Sequence, residues 1–229
     1  MNLTTERIKG MLDVALLKPT GTEAEIRTLA EVVRDERFSF VCVYTLHTRP
    51  ASEVLRGSPA KVVSCVGFPT GAVATEVKVL ETGRAVADGA GEIDMVLNLG
   101  WFMAGDLSRA GDDIRAVVRA AAGRPVKVII ETPLLNRQQK VDASKLAQDA
   151  GASFVKTCTG TTPDPVALYE DVRLIRQTVG PSMGIKASGR VGSYFRLVSL
   201  LEAGATRVGL VLEQAREILR GCEEEKRRA

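Results

Sequence analysis

Eight short apolar runs recur along this chain, and their alternation with helical stretches constrains the fold more than any other feature. Residues 12–17, 38–44, 61–66, 92–97, 126–131, 153–157, 183–187 and 206–210 are mostly rich in Val, Ile or Leu. Gly, Pro or polar residues bound them, which is the pattern of buried strands. Between them, residues 22–34, 74–87, 107–121, 142–149, 165–177 and 194–202 carry helical periodicity and mostly begin near a Thr, Asp or Ser cap. Aromatic residues make up only 4% of the chain, so its core must be built from Val, Leu, Ile and Ala. That composition suits parallel strands covered on both faces. Eight strands with intervening helices in 229 residues predict an α/β fold, a (β/α)8 TIM barrel forming a single domain over 1–229. A doubly wound sheet is the alternative, but no Gly-rich dinucleotide fingerprint follows any strand. Gly89-Ala90, Gly151-Ala152 and Gly204-Ala205 each stand between a helical stretch and a strand, where a left-handed helix end favours glycine. This recurrence supports a βα repeat.

Charge and composition exclude several function classes. The 31 basic and 28 acidic residues are interspersed apart from a mixed run at 223–228, and no basic stripe suggests nucleic acid as a partner. No apolar stretch approaches a membrane span, and residues 1–10 lack the apolar core of a signal peptide, so a cytoplasmic location is expected. Cys42, Cys65, Cys158 and Cys222 match no zinc spacing and read as small core residues. A single histidine, His47, in a loop after the second strand, rules out a His-rich metal centre.

The lysines carry the chemistry. Of ten in the chain, Lys127, Lys156 and Lys186 lie inside the apolar runs expected to be strands five, six and seven. A buried ammonium is costly unless paired, so three on consecutive strands argue for a polar centre inside the barrel. A lone strand lysine has another reading, snorkelling to water from a sheet end, and for Lys127 alone both stay open. Asp94 on strand four supplies counter-charge, and Asp13 on strand one is either a second acid of the centre or a turn residue. Glu131 either takes part in catalysis or anchors the Glu131-Thr132-Pro133 turn. This set suits imine formation. A lysine must be neutral to attack a carbonyl, and burial beside a second cation lowers its pKa. Lys156 is the expected nucleophile, Lys186 the neighbouring cation, and Asp94 the holder of Lys186 and a water in a proton relay. The protonated imine is itself the electron sink, so neither metal nor other cofactor is expected.

Motifs along residues 12–209 resemble the deoxyribose-phosphate aldolases, class I aldolases built on a (β/α)8 barrel. They are Leu12-Asp13 with Leu16-Leu17-Lys18-Pro19; Val41-Cys42-Val43; Gly67-Phe68-Pro69 with Gly71 and Thr75-Glu76-Val77-Lys78; and Glu92-Ile93-Asp94-Met95-Val96. Further along come Lys127-Val128-Ile129-Ile130-Glu131-Thr132, Phe154-Val155-Lys156-Thr157 with Thr159-Gly160, and Lys186-Ala187-Ser188-Gly189. The resemblance implies that Lys156 forms the Schiff base, Lys186 lowers its pKa and Asp94 completes the relay. It also implies that Asp13, Lys127, Cys42, Gly160, Gly189, Arg190 and Gly209 line or support the substrate pocket. The reaction implied is reversible cleavage of 2-deoxy-D-ribose 5-phosphate to acetaldehyde and D-glyceraldehyde 3-phosphate, in an enzyme often found as a homodimer.

The departures from the family pattern gather at the substrate's far end. Arg190 stands where the family has a second glycine, and Gly192 where it has an arginine of the phosphate cup. Gly209-Leu210-Val211-Leu212 offers no hydroxyl where serines are usual, and the loop through Thr161, Thr162, Pro163, Asp164 and Pro165 lacks the usual glycine-rich turn. Val14 and Ala15 replace a common polar pair, and Tyr44 a common Asn. Arg190 either replaces the missing phosphate donors, since a guanidinium binds phosphate or carboxylate bidentately, or points to solvent. Two reactions therefore remain open: the family cleavage with an altered phosphate site, or the same lysine chemistry on an unphosphorylated or carboxylated aldehyde.

Overall fold

The computed structural model describes residues 3–163 and 165–228, so Asp164, within the loop noted above, lies outside the described residues. Eight parallel strands form one closed barrel in chain order: β1 (Leu12–Leu16), β2 (Phe40–Tyr44), β3 (Lys61–Val66), β4 (Ala90–Val96), β5 (Val126–Ile129), β6 (Phe154–Lys156), β7 (Gly184–Ser188) and β8 (Arg207–Leu210). Pairing of Leu12 with Val208 and of Asp13 with Gly209 joins the last strand to the first. The helices are α1 (Thr5–Lys9), α2 (Glu23–Asp35), α3 (Thr48–Val54), α4 (Thr75–Ala87), α5 (Leu99–Met103), α6 (Leu107–Ala120), α7 (Arg137–Asp149), α8 (Tyr169–Val179), α9 (Tyr194–Glu202) and α10 (Leu212–Arg228). No helix among the described residues is long and apolar enough to cross a membrane.

Strand periodicity divides each run between two environments. Leu12 and Val14, Ile93 and Met95, Val126 and Val128, Val155, Ile185 and Val208 are fully buried or nearly so in the cluster shared with the helices. At about 1.5–3 kcal/mol for each such side chain buried, this layer is the main support of the barrel. The alternate positions face inward. There Phe40, Cys42, Val63 and Cys65 form a small apolar cluster with Phe68 packed against it, and ionisable side chains stand at several other inward positions.

The structure differs from the sequence expectations at several ends. β5 stops at Ile129, because Glu131 takes a left-handed backbone (φ 57°) that a strand cannot continue through. Helix α7 starts at Arg137 rather than 142, where Asn136 and Gln139 cap each other's backbone N–H groups at 2.9 Å. Helix α8 starts at Tyr169 rather than 165, because the Ala167 N–H donates to the Gly189 carbonyl (3.0 Å) and ties that segment to the end of β7. Helix α10, 17 residues long, was not expected; it buries Ala215, Ile218 and Cys222. Gly89, Gly151 and Gly204 all have positive φ, as the recurring Gly-Ala pattern requires.

Candidate active site

Seven inward-facing ionisable side chains meet inside the barrel: Asp13 from β1, Glu92 and Asp94 from β4, Lys127 from β5, Lys156 from β6, Lys186 from β7 and Arg207 from β8. The register explains the meeting. Asp94 pairs with Lys127 across β4 and β5, Lys156 with Lys186 across β6 and β7, and Lys186 with Arg207 across β7 and β8.

Asp94 is the hub. Its Oδ1 accepts from Lys127 Nζ at 2.8 Å, and its Oδ2 accepts from both Lys156 Nζ (2.8 Å) and Lys186 Nζ (2.7 Å). Lys186 is also 2.5 Å from Asp13 Oδ2 and Lys127 is 2.6 Å from Glu92 Oε2. Arg207 closes the ring, donating to Asp13 Oδ1 at 2.8 Å and to the two Glu92 oxygens at 3.2 Å each. Its guanidinium lies 3.5 Å from the Phe40 ring centroid. The four cations exceed the three carboxylates by one positive charge.

These contacts fix the pKa directions of Asp94, Lys186 and Lys156. Burial alone would raise the Asp94 carboxyl, but Lys127, Lys156 and Lys186 overcome it and hold the group well below the carboxylate range. Burial likewise opposes the Lys186 ammonium, yet Asp13 and Asp94 hold its pKa well above that of an ordinary lysine. For Lys156, burial and Lys186 act downward as expected from sequence, but the Asp94 contact outweighs them and the net direction is upward. This corrects the expectation that Lys186 sets a lowered value. In the unliganded site, Asp94 holds Lys156 as the ammonium. Even so, Lys156 has the fewest carboxylate contacts of the three lysines, since its one carboxylate oxygen is shared with Lys186.

Above this ionic layer, at the C-terminal ends of the strands, opens a cavity of about 800 Å³. Lys156 and Lys186 reach it, and so do Cys42, Gly160, Gly189, Arg190 and Gly209. Asp13, Asp94 and Lys127 do not line it; fully buried, they form the support beneath. Gly209 keeps Ser188 and Lys186 close, because a Cβ there would come to 2.5 Å from Ser188 Oγ and 2.9 Å from Lys186 Cε and push one of them aside. Arg190 has φ 47°, a backbone conformation that glycine adopts more readily, and its side chain is exposed at the rim. Away from the lysines the wall is largely apolar, with Leu17, Leu29, Val32, Leu210, Val211 and Leu212, and the first turn of α10 adds Glu213.

Glu131 sits outside the cavity and accepts the Thr159 N–H at 3.1 and 3.2 Å, so it holds the loop that follows Lys156. Burial raises its pKa. Cys42 and Cys65 are free thiols with Sγ atoms 3.6 Å apart. With Asp94 they place three donor atoms within 4.8 Å of one another, but an ion there would have to displace ammonium groups from Asp94. Sequence reasoning missed Glu92 and Arg207. Each lies two residues before a residue already singled out, Asp94 and Gly209, and so on the same strand face.

Residues 15–193 match a family model described as DeoC/LacD family aldolase. The chain is 48% identical to the deoxyribose-phosphate aldolase of Macrococcus caseolyticus over 86% of its own length and 90% of that protein. It is 47% identical to that of Streptococcus gordonii over 89% and 92%. Among solved structures, the aldolase QR15 superposes with a TM-score of 0.88 at 34% identity, covering 96% of both chains. A tetrameric deoxyribose phosphate aldolase from Aeropyrum pernix also superposes with a TM-score of 0.88, at 28% identity over 97% of this chain and 93% of that one.

Proposed function

This chain belongs to the DeoC/LacD family of aldolases, and from that premise we propose that it cleaves 2-deoxy-D-ribose 5-phosphate through a Schiff base on Lys156. It is a carbon–carbon lyase of the class I type. The observation that carries the assignment to Lys156 is its position: it is the lysine that both reaches the cavity and depends on one shared carboxylate oxygen.

Deprotonated Lys156 attacks the C1 aldehyde of the open-chain sugar, and loss of water gives the iminium. The proton of the C3 hydroxyl passes to a water held by Lys186 and Asp94, the relay that later delivers a proton to C2. The C2–C3 bond breaks, its electron pair moves onto the iminium to give the enamine, and glyceraldehyde 3-phosphate leaves. Protonation at C2 and hydrolysis release acetaldehyde and restore the lysine. Asp13 and Lys127 hold Lys186 and Asp94 in place throughout, while Cys42, Gly160, Gly189, Arg190 and Gly209 shape the space that receives the sugar. The reading is of a cytoplasmic enzyme, and the tetrameric relative from Aeropyrum pernix supports assembly with copies of itself.

A second reading, the same chemistry on an unphosphorylated or carboxylated aldehyde, is favoured by one feature of the wall. Val211, Leu212 and the acidic Glu213 stand where α10 begins, and a helix start otherwise attracts anions. Cleavage of 2-deoxyribose 5-phosphate measured beside 2-deoxyribose at matched concentrations separates the two. A large preference for the phosphorylated sugar supports the first; equal rates or none on either moves the substrate to another aldehyde.

A further inference from the structure

Arg207 carries no role in the reaction just described, yet it makes three hydrogen bonds to two carboxylates of the lower layer. We propose that Arg207 is a positioning residue of the aldolase: by occupying Asp13 Oδ1 and both Glu92 oxygens, it leaves Lys156 without a carboxylate of its own. This rests on the reading of Lys156 as the Schiff-base lysine.

The argument is one of contacts. Three carboxylates serve four cations. Arg207 cannot give up its proton in a protein, so its share of Asp13 and Glu92 is permanent. Lys186 is thereby left with the other Asp13 oxygen and leans on Asp94 Oδ2 as well. Lys127 shares Glu92 with Arg207 and takes Asp94 Oδ1. What remains for Lys156 is the Asp94 oxygen that Lys186 already uses. A low-dielectric interior disfavours the one excess positive charge, and losing a single proton from Lys156 balances the set at the moment the nucleophile is needed. The groups acting on Lys156 are Asp94 from β4, Lys186 from β7, Cys42 from β2, Cys65 from β3, Glu131 just beyond β5, and Cys158 just beyond β6. The layer built by Arg207 lies one step behind them. Its stacking on Phe40 at 3.5 Å, with Phe154 at 5.6 Å, fixes the guanidinium plane so that it bridges two strands' acids rather than following one.

Without that charge, Asp13 and Glu92 would satisfy Lys186 and Lys127, and Asp94, no longer shared, would hold the Lys156 ammonium more tightly than it does now. The test is the pH dependence of acetaldehyde trapping by cyanoborohydride, read as mass added to Lys156, in the full-length wild type, Arg207→Gln and Arg207→Lys. Gln keeps hydrogen-bond donors and loses the charge; Lys keeps the charge. The expected result is an acid limb moved up by about one pH unit in Arg207→Gln, a roughly tenfold slower reaction at a fixed pH on that limb, with Arg207→Lys close to wild type. Arg207→Met, which packs on Phe40 without a polar group, repeats the neutral case if the Gln variant folds poorly. Limbs that stay put in the neutral variants, or move equally in Gln and Lys, overturn the proposal. Absence of any Lys156 adduct in the wild type instead overturns the Schiff-base assignment on which it stands.

Discussion

Lys156 and Lys186 donate to the same oxygen of Asp94, at 2.8 and 2.7 Å. Two ammonium groups on one oxygen share a single carboxylate charge, and Lys186 has Asp13 as a second partner while Lys156 does not. Of the two lysines that reach the cavity, Lys156 is therefore the less compensated.

Lys156→Ala should abolish trapping with acetaldehyde and lower kcat/KM by about 10³-fold or more, the scale of removing a covalent nucleophile. Trapping followed by peptide mass analysis checks this, and retained turnover would sink the Schiff-base assignment.

Gly209→Ala should cut kcat with the fold intact. The added Cβ must push Ser188 Oγ or Lys186 Cε aside, and displacement of about 1 Å at a reacting group costs on the order of 10²-fold. Circular dichroism alongside kinetics separates this from unfolding.

Stability should be flat across neutral pH and fall at both extremes. Asp94 has a folded pKa well below its ordinary 3.8, so its contribution is complete above that value and is lost as pH drops through the folded one. Lys186 is raised well above 10.5, so its contribution is complete below 10.5 and is lost only as pH climbs through its folded value. Denaturant unfolding as a function of pH reads this directly; Asp94→Asn should remove the carboxylate's share of the acid-side loss.

Outside the barrel, Lys78 is fully buried, 2.6 Å from Asp113 Oδ2 and 3.0 Å from the Val96 carbonyl. Lys78→Met strands that carboxylate and should destabilise the protein by about 3–5 kcal/mol. Lys78→Met with Asp113→Leu should recover much of the loss, because an apolar pair carries no unmet charge. Thermal and denaturant unfolding of the single and double variants decide it.

Glu213→Gln should lower KM for the phosphorylated sugar about fivefold and leave unphosphorylated 2-deoxyribose unaffected, since a charge near a helix start is worth up to about 1 kcal/mol. Parallel initial-rate series with the two sugars measure the difference.

The barrel was legible because its strands are apolar, short and separated by helices. The three lysines and Asp94 were legible because charge inside such runs demands company. Glu92 and Arg207 were not, because each stands at or near the beginning of its strand, where a charged residue ordinarily marks the edge of a sheet. Only the period-two alternation from Asp94 and Gly209 identifies them as inward-facing. Helix α10 was hidden by its charges, although Leu212, Ala215, Ile218 and Cys222 recur at helical spacing. The net pKa direction of Lys156 depends on distances to one carboxylate, which no pattern in the chain encodes.

Asp13 and Arg207 are 194 positions apart and meet across the seam between β1 and β8. The ionic layer draws on six of the eight strands, including the first and the last to be made. No fragment lacking either end can assemble it, so chemical competence is a late event in folding, governed by the slowest long-range pairing. During refolding, helical signal should return first and the capacity to form a Lys156 adduct only when the seam has zipped, which makes the active site a built-in reporter of ring closure.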